Sequence, residues 1–468
     1  MQYLSTRGLA PTLGFSDVLL AGLARDGGLY VPATWPQISA EAICGLIGRP
    51  YADAAFEIIR PFAGGEIADS DLKAMCSAAY ATFRHPEVAP LRKLGDDAYV
   101  LELFHGPTLA FKDVAMQLLA QLMDQLLAKR GTRVTIVGAT SGDTGAAAIE
   151  AFRGRDNVDV FILFPEGRVS SFQQRQMTTV AAPNVHAVAI KGTFDDCQSI
   201  VKGLFGNAAF RDGVHLSGIN SINWARIVGQ VVYYFTAAAA LGAPRCPVSF
   251  TVPTGNFGDI FAGYAAKRMG LGIDTLVIAT NVNDILARTL ATGRYDVRGV
   301  SATSSPSMDI QVSSNFERLL FEASGRDAAA VRELMGNLAR SGSFTIDAKA
   351  LAAIRADFAA GRADEIEVTA TIAKTFADTG FLADPHTAVG LSVAARFAEK
   401  GVPMVTLATA HPAKFPDAVK AAAGVEPELP QGFADILVKP ERFVTLANDQ
   451  RAVEDHIRAR ASAAVEKA

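Results

Sequence analysis

The stretch VTIVGATSGDTGAAA, residues 134–148, places a short apolar run directly before a glycine-rich turn and an alanine-rich segment. The β-branched run at 134–137 predicts a strand, and the alanine-rich segment from about residue 145 predicts a helix. Backbone N–H groups and hydroxyls at 141–144, at the start of such a helix, suit an anion. Turns of this kind often only connect two elements, so the stretch by itself predicts a strand–turn–helix unit.

The same strand–helix pattern recurs along the chain. Further strands are predicted at 158–164, 185–190, 248–252, 275–279 and 405–408. Their apolar runs do not alternate with polar residues, as in strands buried on both faces of a parallel sheet. Residues 317–400 are predicted to be mostly helical, and residues 1–95 read as a small leading domain. The sequence therefore predicts an open α/β architecture.

Composition and charge exclude several classes of protein. The 468 residues carry 44 basic and 48 acidic side chains, a net charge of −4, which argues against nucleic acid or an anionic membrane as a partner. Cys44, Cys76, Cys197 and Cys246 form no CxxC pair, so we expect buried, reduced thiols in a cytoplasmic protein rather than a zinc site or disulfides. The N-terminus shows no signal-peptide pattern, and the apolar residues 228–241 predict a buried helix rather than a membrane span.

The segment LFHGPTLAFKD, residues 103–113, holds a candidate nucleophile. Gly106 and Pro107 predict a turn, and apolar residues at every fourth position after it predict a helix that starts near Lys112. The positive end of the helix dipole disfavours an ammonium there, which lowers the pKa of the lysine and makes its amine more nucleophilic. A solvated lysine in a first helical turn is the alternative interpretation.

A second glycine-rich turn, PTGNFGD at 253–259, again lies between a predicted strand and a predicted helix. Gly255 and Gly258 permit the positive φ angles and the close backbone approach that a phosphate needs. Neither turn matches GxGxxG or ends in GK[ST], which argues against NAD or ATP. A reactive lysine and a phosphate-binding turn in an α/β protein together suggest pyridoxal phosphate.

These segments belong to an ordered series of motifs that spans nearly the whole chain. The other motifs are STRG at 5–8, LARDGGLYVP at 23–32, GTFDDCQ at 192–198, NSINWARIVGQ at 220–230 and TAHPAKFPDAV at 409–419. With them the chain resembles the bacterial and fungal branch of threonine synthases, pyridoxal-phosphate enzymes of fold type II, the tryptophan-synthase-β type. The resemblance implies two open α/β domains with mostly parallel sheets and a small N-terminal domain. The implied boundaries are 1–95 for the N-terminal domain, 96–115 with 247–468 for the large cofactor domain, and 116–246 for a smaller mobile domain.

The resemblance also implies a role for each matching residue. Lys112 matches the lysine that bonds covalently to the cofactor and moves protons between substrate carbons. The other positions that match cofactor contacts are Asp143 beside the ring hydroxyl, Thr409 opposite the pyridine nitrogen, and Gly255, Asn256, Phe257, Gly258 and Asp259 around the phosphate. The positions that match substrate contacts are Ser141 and Thr144 for the carboxylate, and Asn220, Ser221 and Arg226 for the phosphate.

The implied activity is conversion of O-phospho-L-homoserine and water to L-threonine and phosphate, the last step of threonine biosynthesis. No metal ion is implied, and the chain is expected to be a monomer, with a dimer as the alternative. A related dehydratase or phospho-amino-acid lyase is the rival enzyme, and the NSINWAR motif and the leading domain argue against it. A non-catalytic sensor of the cofactor or of a phosphometabolite and a phosphate-binding structural subunit are further alternatives. The roles of His105, His386, His411 and Lys414 stay open.

Overall fold

The computed structural model describes residues 1–465. Its strands are β1 (Gln2–Ser5), β2 (Leu13–Gly14), β3 (Tyr30–Pro32), β4 (Leu91–Lys93), β5 (Ala98–Glu102), β6 (Val134–Ala139), β7 (Val158–Pro165), β8 (Val185–Lys191), β9 (Leu216–Ser217), β10 (Val248–Pro253), β11 (Ile273–Thr280), β12 (Arg294–Asp296), β13 (Ser343–Thr345), β14 (Phe358–Arg362), β15 (Met404–Ala408) and β16 (Val444–Ala447). Its α-helices are α1 (Phe15–Ala21), α2 (Ala40–Cys44), α3 (Tyr51–Ala63), α4 (Asp69–Tyr80), α5 (Lys112–Arg130), α6 (Asp143–Phe152), α7 (Ser171–Thr178), α8 (Phe194–Gly206), α9 (Ala208–Gly213), α10 (Trp224–Ala240), α11 (Gly258–Arg268), α12 (Ile285–Thr292), α13 (Phe316–Ala323), α14 (Ala328–Ser341), α15 (Ala348–Asp357), α16 (Glu365–Thr379), α17 (Pro385–Ala394), α18 (Pro416–Ala423), α19 (Gln450–Arg458) and α20 (Ser462–Val465). Short 3₁₀ turns lie at Pro306–Met308, Pro412–Lys414 and Ala434–Leu437.

Two largely parallel sheets form the body of the molecule. The smaller sheet has five parallel strands in the order β16-β8-β7-β6-β9. The larger has six strands in the order β14-β11-β10-β15-β5-β4, of which β4 alone runs antiparallel to its neighbour. Every residue of β7 and of β10 is buried, because helices cover both faces of these sheets. The predicted α/β fold with mostly parallel sheets is therefore confirmed.

The N-terminal unit is a three-stranded antiparallel sheet, β2-β1-β3, with helices α1 to α4. It is joined to the larger unit by buried polar contacts. The Thr6 hydroxyl donates to a Glu317 carboxylate oxygen at 2.6 Å, and Arg7 forms an ion pair with the same carboxylate at 2.9 Å. The fully buried Arg318 donates from Nε to the Tyr30 carbonyl at 3.0 Å. These contacts hold the N-terminal unit against the first turn of α13.

Helix α10 lies at the centre of the core. All but two of its residues are buried, and it packs against α3, α5 and α11. The apolar run at 228–241 is thus a buried helix, as predicted. Within residues 1–465, no helix is both long enough and apolar enough to cross a membrane. Because α11 follows β10 of the larger sheet, α10 contacts the larger unit although the implied boundaries place it in the smaller one.

The C-terminal segment differs from the implied domain division. Strand β16 pairs in parallel with β8, so the segment from Val444 onward extends the smaller sheet rather than the larger domain. The apolar face of α19, with Val453 and Ile457, is buried against the same unit. Pairing with the edge of β8 buries backbone groups of a strand that is itself mostly exposed, and such long-range pairing leaves little trace in local sequence.

Two further expectations differ from the structure. The stretch predicted as helix around residue 358 instead forms β14, because Phe358 is buried and its backbone pairs with β11 at the edge of the larger sheet. Of the four cysteines, Cys76 and Cys197 are buried as expected, but Cys44 is partly exposed and Cys246 is exposed. The loops that follow β5, β6, β9, β10 and β15 all border one cavity, which is the usual place for a ligand in an open α/β protein.

Candidate active site

A cavity of about 320 Å³ lies between the two parallel sheets. Every residue that the resemblance matched to a cofactor or substrate contact lines it. They are Lys112, Ser141, Asp143, Thr144, Asn220, Ser221, Arg226, Gly255, Asn256, Phe257, Gly258, Asp259 and Thr409. Helices α5, α6, α10 and α11 all begin at this cavity, and the partial positive charge of four helix N-termini favours anionic ligands there.

Lys112 is the first residue of α5, as predicted, and only 9% of it is exposed. Its Nζ lies 3.4 Å from Asp143 Oδ2 and 4.7 Å from the centre of the Phe111 ring. Burial lowers the pKa of Lys112, and the charges of Lys414 and Arg226 act in the same direction, whereas Asp143 opposes them. The net lowering makes the amine a better nucleophile than that of a surface lysine.

The turn before Lys112 is fixed by the next residue, Asp113. Its buried carboxylate accepts hydrogen bonds from the Thr108 N–H and from the Thr108 hydroxyl, each at 2.7 Å. A Cβ on Gly106 would overlap the Asp113 side chain, so only glycine fits there. The sequence Gly106–Asp113 therefore sets both the start of α5 and the position of the amine.

Asp143 begins α6 and is the most highly coordinated acid in the cavity. Oδ1 accepts from Gln173 Nε2 and from Lys414 Nζ, both at 2.8 Å, and Oδ2 faces Lys112 and, at 3.4 Å, the Ser307 hydroxyl. Burial by itself raises the pKa of this carboxyl, but Lys414, and after it Lys112, outweigh burial and hold the pKa well below its usual range. Asp143 is therefore a carboxylate in this structure and acts only as a hydrogen-bond acceptor.

Lys414, whose role the sequence left open, is completely buried. Its Nζ donates to the Thr108 carbonyl at 2.7 Å, to Gln176 Oε1 at 3.0 Å and to Asp143 Oδ1 at 2.8 Å. Three acceptors match the three N–H groups of an ammonium. Lys414 is thus an internal counterion of Asp143 rather than a surface residue.

The loop at 253–259 is packed tightly against its neighbours. A Cβ on Gly255 would lie 2.8 Å from the Ser307 carbonyl oxygen, so glycine is needed for this close approach. Neither Gly255 nor Gly258 has the positive φ predicted for it. Phe257 has it instead, at 64°, a strained conformation for a residue with a side chain, and its buried ring packs on Phe316. Asn315 holds the loop by donating Nδ2 to the Asn256 carbonyl at 2.9 Å.

Asp259 lies in the first turn of α11, and its carboxylate contacts two tyrosines. Its Oδ1 accepts hydrogen bonds from the hydroxyls of Tyr233 and Tyr234. Its Oδ2 is buried and has no hydrogen-bond partner among residues 1–465. Burial raises the pKa of Asp259 to about 6, which the tyrosines, Lys112 and Arg226 only partly offset. A carboxyl group that is readily protonated is compatible with a nearby phosphate.

Arg226 lies in the first turn of α10 and is buried. One guanidinium nitrogen donates to the Ile219 carbonyl at 3.0 Å, while Nε has no partner within the described part of the chain. Burial lowers the pKa of Arg226 to about 10, so the group remains cationic at neutral pH. Gln230 stands one helical turn later, and its Oε1 is likewise buried without a partner in the described region. Both residues line the cavity and present unsatisfied polar atoms that a polar ligand would satisfy.

Of the three histidines that the sequence left open, only His386 lines the cavity. Its Nδ1 lies 2.7 Å from Asp384 Oδ2, and its Nε2 accepts a hydrogen bond from the Ser307 N–H at 3.2 Å. These partners place the proton on Nδ1. His105 pairs with Glu102 outside the cavity, and burial lowers the pKa of His411 to about 4.

The cavity fits pyridoxal phosphate. Lys112 supplies a buried amine for the aldehyde, and the N-terminus of α11 with the close-packed turn at Gly255 supplies a phosphate cradle. The unsatisfied atoms of Arg226 and Gln230 leave further polar capacity for a second anionic group in the same space.

Comparison with protein families decides the classification. A model for the N terminus of threonine synthase matches residues 2–80, and one for the C-terminal part of threonine synthase matches residues 387–457. Between them, a model for pyridoxal-phosphate-dependent enzymes matches residues 83–372. The chain belongs to the threonine synthase family. The match at residues 2–80 also separates it from the dehydratase alternative, which was not expected to share the leading domain.

Relatives support this family over the whole chain. A threonine synthase from Pseudomonas aeruginosa is 53% identical over 456 residues, 97% of either chain. The crystal structure of a pyridoxal-phosphate-bound threonine synthase from Brucella melitensis superposes with a TM-score of 0.96 at 63% identity, covering 99% of this chain and 100% of that one. Yeast threonine synthase superposes with a TM-score of 0.92 at 39% identity, covering 100% and 99%. The predicted fold type, the enzyme class and the cofactor are thereby confirmed.

Sequence analysis did not identify several residues that border the site. The sequence does contain a pattern that could identify Gln230, since it is a polar residue one helical turn after Arg226 in a mostly apolar helix. Gln173 and Ser307 had none, because each reaches Asp143 from a different element. Lys414 lies within a recognised motif, but only the fold shows that it is buried beside Asp143.

Proposed function

We propose that the chain converts O-phospho-L-homoserine and water to L-threonine and phosphate. The observation that carries the proposal is the meeting, in one cavity, of a buried nucleophilic amine, a glycine-rich helix N-terminus and a buried arginine with an unsatisfied Nε. Pyridoxal phosphate, when bound, supplies an aldehyde for covalent attachment and an electron sink for a carbanion at the substrate α-carbon.

Residues of the chain hold and orient the cofactor in this proposal. The Lys112 amine bonds to it, and the backbone N–H groups of Gly255, Asn256, Phe257, Gly258 and Asp259 bind its phosphate. The Thr409 hydroxyl faces the pyridine nitrogen. Because a hydroxyl is a weaker proton acceptor than a carboxylate, it tempers the electron sink. Asp143 accepts a hydrogen bond from the ring hydroxyl, since as a carboxylate it has no proton to donate.

The substrate occupies the remaining space. The Ser141 and Thr144 hydroxyls, in the turn before α6, bind its carboxylate, while Asn220, Ser221 and Arg226 bind its phosphate. Lys112 removes the α-proton once the substrate amine has replaced it. A β-proton is then removed, phosphate leaves from the γ-carbon, and a proton is added at the γ-carbon. The buried Arg226 stabilises the departing charge in a site with little water, and water adds at the β-carbon.

The resemblance also leads us to propose a cellular location and an oligomeric state. We propose a cytoplasmic location, which the absence of any CxxC pair and the two buried free thiols support. We propose further that the chain acts as a monomer, as many members of this branch do.

Borohydride reduction and product analysis test the proposal. The wild-type enzyme should carry a reduced cofactor on the peptide that contains Lys112 and should form threonine from O-phospho-L-homoserine. Lys112→Ala should lose both the label and at least about a thousandfold in turnover, because it loses the covalent attachment and the general base together. The exposed Lys374→Ala is the control and should retain both. Label on another lysine, or 2-oxobutyrate in place of threonine, would contradict the assignment.

A further inference from the structure

Two lysines contact the Asp143 carboxylate, and they differ in their distance from it and in their burial. Lys414 Nζ lies 2.8 Å from Oδ1, whereas Lys112 Nζ lies 3.4 Å from Oδ2. Lys414 is fully enclosed, while 11% of the Lys112 side chain faces the cavity. The shorter contact and the complete burial make Lys414 the closer partner of Asp143.

Lys414 is also the lysine whose hydrogen bonds are complete. Its other two acceptors, the Thr108 carbonyl and Gln176 Oε1, belong to the turn before α5 and to α7. Gln176 in turn donates Nε2 to the same Thr108 carbonyl at 3.0 Å. The three acceptors together satisfy all three N–H groups of an ammonium at Lys414.

The charges around Asp143 then determine the protonation state of Lys112. Two ammonium groups and one carboxylate carry a net positive charge in a buried site, and burial penalises an uncompensated charge. Asp113 forms no ion pair with either lysine, and its two carboxylate oxygens accept hydrogen bonds from Thr108 instead. Asp259 is held by two tyrosines, and Arg226 contributes a further positive charge. Loss of the Lys112 proton leaves Lys414 and Asp143 as a neutral pair and removes one of the two remaining positive charges, which are those of Lys112 and Arg226.

We propose that Lys414 is a positioning residue that occupies Asp143 as its permanent counterion and thereby leaves Lys112 as a free amine. Only a neutral amine has the lone pair that bonds to an aldehyde carbon, the aldehyde oxygen leaving as water. The inference rests on the proposed role of Lys112 as the cofactor lysine. In agreement with it, repulsion from Lys414 adds to burial in lowering the pKa of Lys112.

The test measures the protonation of Lys112 in the full-length chain freed of cofactor. The probe is acetic anhydride, and the acetylation rate of the Lys112 peptide is followed by mass spectrometry between pH 6 and 10. Lys414→Met removes the charge at similar volume and should raise the midpoint of Lys112 acetylation by about one pH unit or more, because Asp143 then pairs with Lys112. The exposed Lys420→Met, on α18, is the matched control and should leave the midpoint unchanged.

A second substitution keeps the inference falsifiable if Lys414→Met is unstable. Asp143→Asn removes the acceptor and should lower the midpoint, and the double variant, which buries neither charge, should fall between the two single variants. An unchanged or lowered midpoint in Lys414→Met would overturn the inference, as would a raised midpoint in Asp143→Asn when only that variant folds. If borohydride labels another lysine in the wild-type enzyme, the proposed function fails instead, whatever the midpoints are.

Discussion

Asp259 brings a carboxyl group into a loop proposed to bind phosphate, so its protonation state matters. Its ordinary pKa of 3.8 rises to about 6 on folding, since burial disfavours the charged form more than Tyr233, Tyr234 and nearby cations favour it. The folded chain therefore binds this proton more tightly than the unfolded chain does. It follows that Asp259 favours folding below pH 4 and penalises it progressively as pH rises to about 6.

We predict that Asp259→Asn changes this pH dependence in the cofactor-free protein. The free energy of unfolding of the variant, relative to wild type, should increase by about 2 kcal/mol between pH 4 and pH 7, because the variant has no charge to bury. Urea unfolding followed by the fluorescence of Trp35 and Trp224 measures it. The exposed Asp417→Asn serves as control, and parallel pH profiles for Asp259→Asn and wild type would show that folding does not raise the pKa of this carboxyl.

At the scale of elements, the site depends on how closely the loop after β10 approaches the 3₁₀ turn at Pro306–Met308. The two backbones meet at Gly255 and Ser307, and Ser313 ties them by donating its hydroxyl to the Gly255 carbonyl at 2.7 Å. The same turn also contacts α6, which follows β6 of the smaller sheet, through the hydrogen bond from the Ser307 hydroxyl to Asp143. A change in the distance between the backbones at Gly255 and Ser307 would therefore displace residues on both sides of the cavity.

We predict that Gly255→Ala weakens cofactor binding. The added methyl group would lie 2.8 Å from the Ser307 carbonyl oxygen and must push the two backbones apart. Overpacking of this kind costs about 1–3 kcal/mol, which corresponds to roughly a 5- to 150-fold rise in the dissociation constant for pyridoxal phosphate. Absorbance titration of the cofactor-free protein measures this constant. Gly206→Ala, where a Cβ meets nothing within 4 Å, is the control, and equal affinities for the two variants would contradict the packing argument.

The sequence predicts the elements that carry strong local signals. The strand and turn at residues 134–148 and the start of α5 at Lys112 appear where apolar spacing and glycine place them. Strand β14 was missed because it is alanine-rich, and pairing with β11 overrides its helical propensity. The residues that match a known family all reach one cavity, but the pairing of Asp143 with Lys414 comes from tertiary packing and has no local signal.

At the scale of the whole molecule, the chain crosses between its units more than once. The N-terminal unit is held to the larger unit through Glu317 and Arg318, and Arg318 also donates to the Ile222 carbonyl at 2.6 Å, beside the proposed phosphate-binding residues. The C-terminal segment returns to the smaller sheet. Arg318 therefore links the N-terminal unit to the loop before α10, and β16 links the C-terminal segment to the smaller sheet.

We predict that Ile457→Ala destabilises the smaller sheet selectively. Ile457, on α19, is fully buried against the cluster of Val188, Leu204 and Phe210, and truncating such a side chain costs about 2–5 kcal/mol. Hydrogen exchange should become faster in β8 and α8, while β10 and β11 of the larger sheet keep their protection, because neither β10 nor β11 contributes a residue to the cluster that contains Ile457. The exposed Ile366→Ala should leave both unchanged. Equal acceleration in both sheets would mean that the molecule opens as one cooperative unit, and the C-terminal segment would then stabilise the whole chain rather than the smaller sheet.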